Sequence, residues 1–363
     1  MPDTTPALAA PDREGLWLKG DWHMHSRHST DSSNNPIGKI IGFAERVGFD
    51  YLVVTDHDIH VWGDVAHHTW ADPDYRSDKL LLFYGAELTA ARGHINIMAT
   101  APYDHQAVFD ARDARDWDLL ALKRRLGVHF SANHPSTKNH YGYSFDLADS
   151  VEIWNSCVWS KNVPGLRIWD DMLLSGRMLG ARGGSDSHHG LPDRPELTTP
   201  QSVEASANYV GTPTTWVFAR ERTAAAALEA LERGRASVSA NPYNPRVELW
   251  ADADGDGVME LMMGDNALAT GKPVTFEVRL VGGYRGMRYK VKVVKNRDAF
   301  ASFEIEGDSL RFSDTPEAGG RSYYRVEIEG PQTPYPEVPY SMAQSGNMVA
   351  LSNPIYFGYD ESF

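Results

Sequence analysis

The chain has 363 residues, 42% of them hydrophobic and 23% charged, which supports a sizeable core and excludes a largely disordered protein. Its 35 basic residues stand against 49 acidic ones, a formal charge of −14, so neither nucleic acid nor an anionic membrane has electrostatic support as a partner. The single cysteine, Cys157, excludes an intramolecular disulfide framework, and no run approaches the roughly 18 consecutive apolar residues that a bilayer span needs.

In chain order, residues 1–15 are Pro/Ala-rich and lack the basic and apolar blocks of a signal peptide. They are expected to form a loose terminus of a cytoplasmic protein; the string ALAA leaves an exported form with a trimmed leader as the alternative. Residues 16–243 alternate strand-like and helix-like patterns. Strands are expected at 18–25, 51–56, 80–88, 94–99, 128–133, 151–154, 178–183, 214–219 and 236–239. Between them, 36–47 places Ile37, Ile40, Ile41, Ala44 and Val47 on one helical face and stops at Gly48; 116–126, 164–174 and 223–233 repeat the design. Such alternation predicts an α/β fold with a mainly parallel sheet, and seven or more strands favour a barrel. From 244 to 363 the pattern changes to period two, as in Thr275–Leu280, Tyr289–Val293, Ser302–Ile305 and Tyr323–Ile328, with Gly/Asp-rich turns. That predicts a small antiparallel β-sandwich that packs on the barrel or forms a homo-oligomer contact.

All 14 histidines lie between His23 and His189. Five clusters at expected strand ends hold half of them. His23 and His25, two apart, project from one strand face, and Asp31 follows in a Ser/Asn-rich loop. Thr55-Asp-His57-Asp58 ends the second strand. Gly85-Ala-Glu87 is followed by His94, Asn133-His134-Pro135 closes another strand, and Gly184-Ser-Asp186-Ser-His188 is followed by His189. Barrel geometry gathers successive strand ends on one rim, where so many buried ionisable groups call for cations.

This ordered set resembles the PHP (polymerase and histidinol phosphatase) family of metal-dependent hydrolases. The strings Val151-Glu-Ile-Trp-Asn155, Val210–Val217 and Ser352–Tyr356 look most like its carbaryl-hydrolase-like group. The resemblance implies a distorted (β/α)7 barrel with two or three divalent ions (Zn, Mn or Fe). It also implies a ligand set: His23, His25, Glu87 and Asp186 on one ion, Glu87, His94 and His134 on a second, and Asp31, His57 and His188 on a third. Asp31 stands where some members have His. Asp56 and Asp58 are expected to orient their neighbours.

The expected function is hydrolysis of phosphate mono- or diesters by a metal-activated hydroxide, with a small-molecule ester as the substrate and a second copy of the chain, met through the β domain, as the other partner. Asp186, His28 and Arg182 are the catalytic candidates, and Arg27, His60 and His140 are further groups that could clamp a phosphate. A carbamate or aryl ester hydrolase on the same site is the alternative, with Trp62, Trp70, Tyr141, Trp154 and Trp159 as its apolar lining. A metal-binding module without turnover is the second alternative. Asp252-Ala-Asp254-Gly-Asp256-Gly257 starts like a calcium loop, but Met263 occupies the position where that loop needs Glu, so a plain hairpin is expected.

Overall fold

The computed structural model describes residues 14–32, 35–136, 141–188, 209–282, 286–338 and 346–360. The expected loose terminus (up to residue 13), His140 and His189 lie outside the described residues. In the N-terminal part the strands are β1 (Leu16–Asp21), β2 (Tyr51–Val54), β3 (Leu81–Ala90), β4 (Gly93–Ala99), β5 (His129–Ala132), β6 (Ser150–Asn155), β7 (Gly180–Gly184), β8 (Thr214–Ala219) and β9 (Ala236–Ser239). The helices are α1 (Ile37–Val47), α2 (His105–Asp110), α3 (Asp116–Leu126), α4 (Val163–Ser175) and α5 (Ala224–Glu232). α1 buries the expected face together with Phe43 and ends at Gly48, whose φ of 75° only glycine adopts without strain. Each large side chain so buried stabilises the fold by about 1.5–3 kcal/mol. No described helix is long and apolar enough to cross a membrane.

β1 pairs in parallel with β2, β2 with β3, β5 with β6 and β6 with β7. The sheet is only partly parallel, however. β4 runs antiparallel between β3 and β5, because the turn joining it to β3 is far too short for a parallel crossover. β1, β2, β3, β5, β6 and β7 therefore all point the same way, and their C-terminal ends share one edge. β8 lies antiparallel beside β1 and continues into β9.

The expected closed barrel is not formed as a ladder. The strand order ends at β7, with no ladder from β7 to β8 or β9. Side chains span that gap instead. Thr215 Oγ1 accepts from Gly183 N (2.9 Å) and donates to Gly183 O (3.1 Å). The Asn353 carboxamide, with the donor and acceptor of a peptide, takes Ala181 N (2.7 Å) and gives to Ala181 O (2.8 Å) and Ala236 O (2.9 Å). Such groups left unpaired in the interior would cost about 1–3 kcal/mol each.

The C-terminal strands are β10 (Arg246–Asp252), β11 (Leu261–Met262), β12 (Asn266–Ala267), β13 (Val274–Val281), β14 (Tyr289–Lys295), β15 (Asp298–Ile305), β16 (Ser309–Asp314), β17 (Ser322–Glu329), β18 (Met348–Ser352) and β19 (Ile355–Phe357). The expected small antiparallel sandwich needs amendment. β18 pairs antiparallel with β9 and carries β17, β14, β15, β19 and β12 into the N-terminal sheet, while β11, β10, β13 and β16 form a second sheet. One apolar cluster, including Val247, Phe276, Val291, Val326 and Ile328, draws on both sheets.

Candidate metal centre

The ends of β1 and β7 are brought together by backbone. Met24 makes an isolated parallel bridge with Ser187, in which His25 N donates to Ser187 O (2.9 Å) and Asp186 N to His23 O (2.8 Å). That bridge puts His23 and His25 beside Asp186. A second bridge joins His57, just beyond β2, to Glu87 on β3. His94 enters from β4, opposite Thr89 in the β3–β4 hairpin, and His134 follows the end of β5. His134 and Asp186 hold left-handed backbone (φ 28° and 51°), a conformation more costly than the ordinary regions and tolerated best by Asn, Asp and His.

Three groups of side chains each bring ligand atoms within 4.8 Å of one another: His23, His25 and Glu87; Glu87, His94 and His134; and His25, His57 and His188. In the first, His25 Nε2 lies 3.3 Å from His23 Nε2 and 3.0 Å from Asp186 Oδ1, and each imidazole is 3.5 Å from a Glu87 oxygen. In the second, Glu87 Oε1 is 3.1 Å from His94 Nδ1 and 3.5 Å from His134 Nε2. In the third, His57 Nε2 and His188 Nε2 are 3.3 Å apart, and Asp31 Oδ2 is 3.4 Å from both. Ligands about 2.0–2.1 Å from a tetrahedral ion are separated by about 3.3–3.4 Å. The observed spacings therefore suit a cation at each centre. Glu87 Oε2 strengthens the fit: it is buried, and its neighbours are the imidazoles of His57 (Nδ1 at 2.8 Å) and His25 (Nε2 at 3.5 Å), neither in the geometry of a hydrogen bond.

The imidazoles are fixed from behind. His23 Nδ1 is held by Glu152 Oε1 (2.9 Å) and His188 Nδ1 by the Asp186 carbonyl (2.9 Å), which leaves both Nε2 lone pairs facing inward. Ser29 Oγ donates to Asp56 and so accepts from His25 Nδ1 (3.3 Å) and His57 N (3.0 Å). His57 Nδ1 faces Thr89 Oγ1 (2.7 Å) and Glu87 Oε2 (2.8 Å). Burial disfavours charge on His23, His25, His57, His134 and His188. At His25 it prevails, with His57 adding to it, and the pKa falls to about 4. At His57 burial is outweighed by the Glu87 and Asp31 carboxylates, and the pKa rises to about 10. Glu87 and Asp186 are pushed upward by burial, yet the neighbouring imidazoles, His23 foremost, hold both well below the usual carboxylate range. Carboxylates that pull a proton onto His57 this strongly attract a divalent ion to the same place.

A cavity of about 640 Å³ opens on this centre, lined by His57, Glu87, His94, His134, Asp186 and His188. Its lining also includes Ser136, Asn155, Ser160, Lys161, Asn162 and Pro164. Two of the three catalytic candidates do not reach it. Arg182 is fully buried and donates to Glu152 Oε1 (2.8 Å), Ser131 Oγ (2.7 Å) and Asn133 Oδ1 (2.6 Å), so it braces the ligands from behind and cannot clamp a phosphate. His28 turns to Asp72 (2.9 Å), which Arg27 also binds. His60 faces Asp31 (3.6 Å) from outside the lining. Asp56 gathers Ser26, Ser29 and Thr69, and Asp58 holds Thr89 N and His105.

The five aromatic candidates also lie elsewhere. Trp62 is exposed, Trp70 packs on Tyr84 and Tyr103, Tyr141 on Tyr143 and Phe145, and Trp154 is buried against Trp159. Sequence reasoning missed Glu152 and Asn155 as site residues. Glu152 is an acidic residue between the apolar Val151 and Ile153 inside β6, and that was the available signal. In the C-terminal part Asp252 and Asp254 meet Glu260, which comes earlier than the calcium loop's closing position. Backbone amides already occupy the Asp252 and Asp254 carboxylates, as a hairpin turn requires.

No protein-family profile matches the chain, and neither does any curated protein. Among solved structures it is similar to one from Bacteroides vulgatus ATCC 8482, described as a two-domain protein containing a predicted PHP-like metal-dependent phosphoesterase. The identity is 17%, over 96% of this chain and 98% of that one, with a TM-score of 0.46. An engineered protein is matched at 12% identity over 93% of both chains, with a TM-score of 0.20. Likeness at these levels carries no argument, so function must be read from the side chains.

Proposed function

We propose that this chain is a metal-dependent hydrolase of phosphate mono- or diesters, of the PHP kind that its motifs resemble. One observation carries the reading: a single buried carboxylate, Glu87, is shared between groups of imidazoles with ligand-like spacing at the floor of one cavity. His23, His25, Glu87 and Asp186 would hold one divalent ion, Glu87, His94 and His134 a second, and Asp31, His57 and His188 a third. Mixed imidazole and carboxylate donors suit Zn, Mn or Fe. Ions held there supply Lewis-acid activation of water and neutralise charge on phosphoryl oxygens.

The chain's own residues do the positioning. Glu152 and the Asp186 carbonyl fix which nitrogen of His23 and His188 faces the cavity. Asn155 Nδ2 donates to Asp186 Oδ2 (3.2 Å), which turns Oδ1 toward His25. A carbamate would need an apolar seat, and the described lining offers Pro135, Ile153 and Pro164 but no aromatic ring other than imidazole.

The test is to assay metal-loaded and chelator-treated protein on nitrophenyl phosphate, bis(nitrophenyl) phosphate and a naphthyl carbamate. Metal-dependent release from either phosphate is expected. Turnover of the carbamate alone would overturn the substrate assignment, and metal binding with no turnover would make the chain a binding module.

A further inference from the structure

The cavity has two chemically different walls. One carries the candidate metal ligands. The other includes Ser160, Lys161 and Asn162 and, from the first turn of α4, Pro164 and Gly165. Of the described lining residues, Lys161 is the one Lys or Arg. Its ammonium is exposed and makes no ion pair or hydrogen bond among the described residues. The carboxylates that also line the cavity are committed elsewhere: Glu152 to Arg182 and His23, and Glu87 and Asp186 to the imidazoles.

The turn that carries Lys161 is held rigidly. Asn162 Oδ1 accepts from Asn155 N (2.7 Å), and its Nδ2 donates to Asn155 O (2.9 Å) and Val158 O (3.0 Å). Lys161 N donates to Val158 O (3.2 Å), which completes the turn. Next along the chain, Gly165 lets the first turn of α4 close on the end of β5, since a Cβ there would sit 2.7 Å from Pro135 O. The partial positive charge of a helix start thus adds to the ammonium on the same wall.

Resting on the phosphoesterase reading above, we propose that Lys161 is the specificity-determining residue of this site: its ammonium binds an anionic oxygen of the substrate across the cavity from the metal ligands. The site then selects esters by negative charge, while neutral esters of similar size gain nothing from this wall. Lys161 touches the substrate as a binding group and takes no part in proton transfer.

The test uses the full-length, metal-loaded protein and its Lys161→Ala and Lys161→Arg variants, with inorganic phosphate as the calorimetric probe and nitrophenyl phosphate and nitrophenyl acetate as substrates. Losing one charge-assisted contact should weaken phosphate binding about tenfold in Lys161→Ala, with Lys161→Arg restoring most of it. The KM for nitrophenyl phosphate should rise by more than its kcat falls, the KM for the acetate should not follow, and the bound-metal content should stay the same. If wild type hydrolyses the phosphate ester and Lys161→Ala binds phosphate as tightly as wild type, the Lys161 assignment is wrong and the phosphoesterase reading stands. If wild type binds phosphate through Lys161 without hydrolysing any phosphate ester, the assignment stands and the phosphoesterase reading falls. If wild type does not bind phosphate at all, both fall.

Discussion

Glu152→Gln removes the negative charge and exchanges one oxygen for NH2 in a carboxylate that takes four hydrogen bonds behind the centre. Its Oε1 takes His23 Nδ1 (2.9 Å) and Arg182 Nη1 (2.8 Å), and its Oε2 takes His134 N (3.1 Å) and Asn155 Nδ2 (3.1 Å). All four partners are donors, so whichever way a glutamine amide turns, its NH2 meets two of them head-on. Arg182 is also left as a buried cation without its counter-charge. Breaking one side of a buried pair costs about 3–5 kcal/mol, and loss of a group that orients a metal-binding imidazole lowers metal affinity about 10–100-fold. The pKa points the same way. Burial pushes the Glu152 carboxyl up, but His23 and Arg182 bring it down to about 2, so its contribution to stability is present above the ordinary carboxylate range and is lost as pH falls through about 2. Urea denaturation of metal-free protein measures the first effect, and titration calorimetry with Zn or Mn the second. A glutamine variant with wild-type stability and wild-type metal affinity would refute the role given to Glu152.

Asn353→Ala should lower stability by about 2–4 kcal/mol, because it leaves Ala181 N and O unpaired in the gap between β7 and β9; an unchanged denaturation midpoint would show that this seam contributes nothing. His129 is buried, and burial lowers its pKa to about 4, so the unfolded chain binds the proton more readily between pH 6.5 and 4. Stability should therefore fall as pH drops through that window, by about 2 kcal/mol at pH 5, and His129→Gln should remove that part of the pH dependence in paired denaturation curves.

Several residues that meet at the cavity were readable in sequence because they follow a strand, as His57, His134 and Asp186 do, whereas Glu87 lies within β3 and His94 near the start of β4. A hydrophobic run ending in His57 or His134 announces both the strand and the polar group at its end. Convergence followed from six strands pointing the same way, and alternation with helices predicted much of that. The antiparallel β4 could have been inferred from the two residues between Ala90 and Gly93. The open seam could not, since Thr215 and Asn353 resemble ordinary polar strand residues until β7 is seen beside them.

His28 and Arg182 were misjudged for one physical reason. Closeness in sequence to a motif says nothing about which face of the loop or strand a side chain takes. Arg182 lies two residues from Gly184 yet points behind the ligands to Glu152. In the C-terminal part, period-two alternation marked strands correctly but carries no information about which sheet each one joins, so the link from β18 to β9 was invisible.

The account is tested most directly by counting metal ions in purified protein after equilibration with Zn or Mn, beside a Glu87→Ala variant. It predicts about two to three ions per wild-type chain and a loss of at least one in the variant, because Glu87 belongs to more than one ligand group. Wild-type protein that retains no stoichiometric metal, or a Glu87→Ala variant that retains as much as wild type, would contradict it.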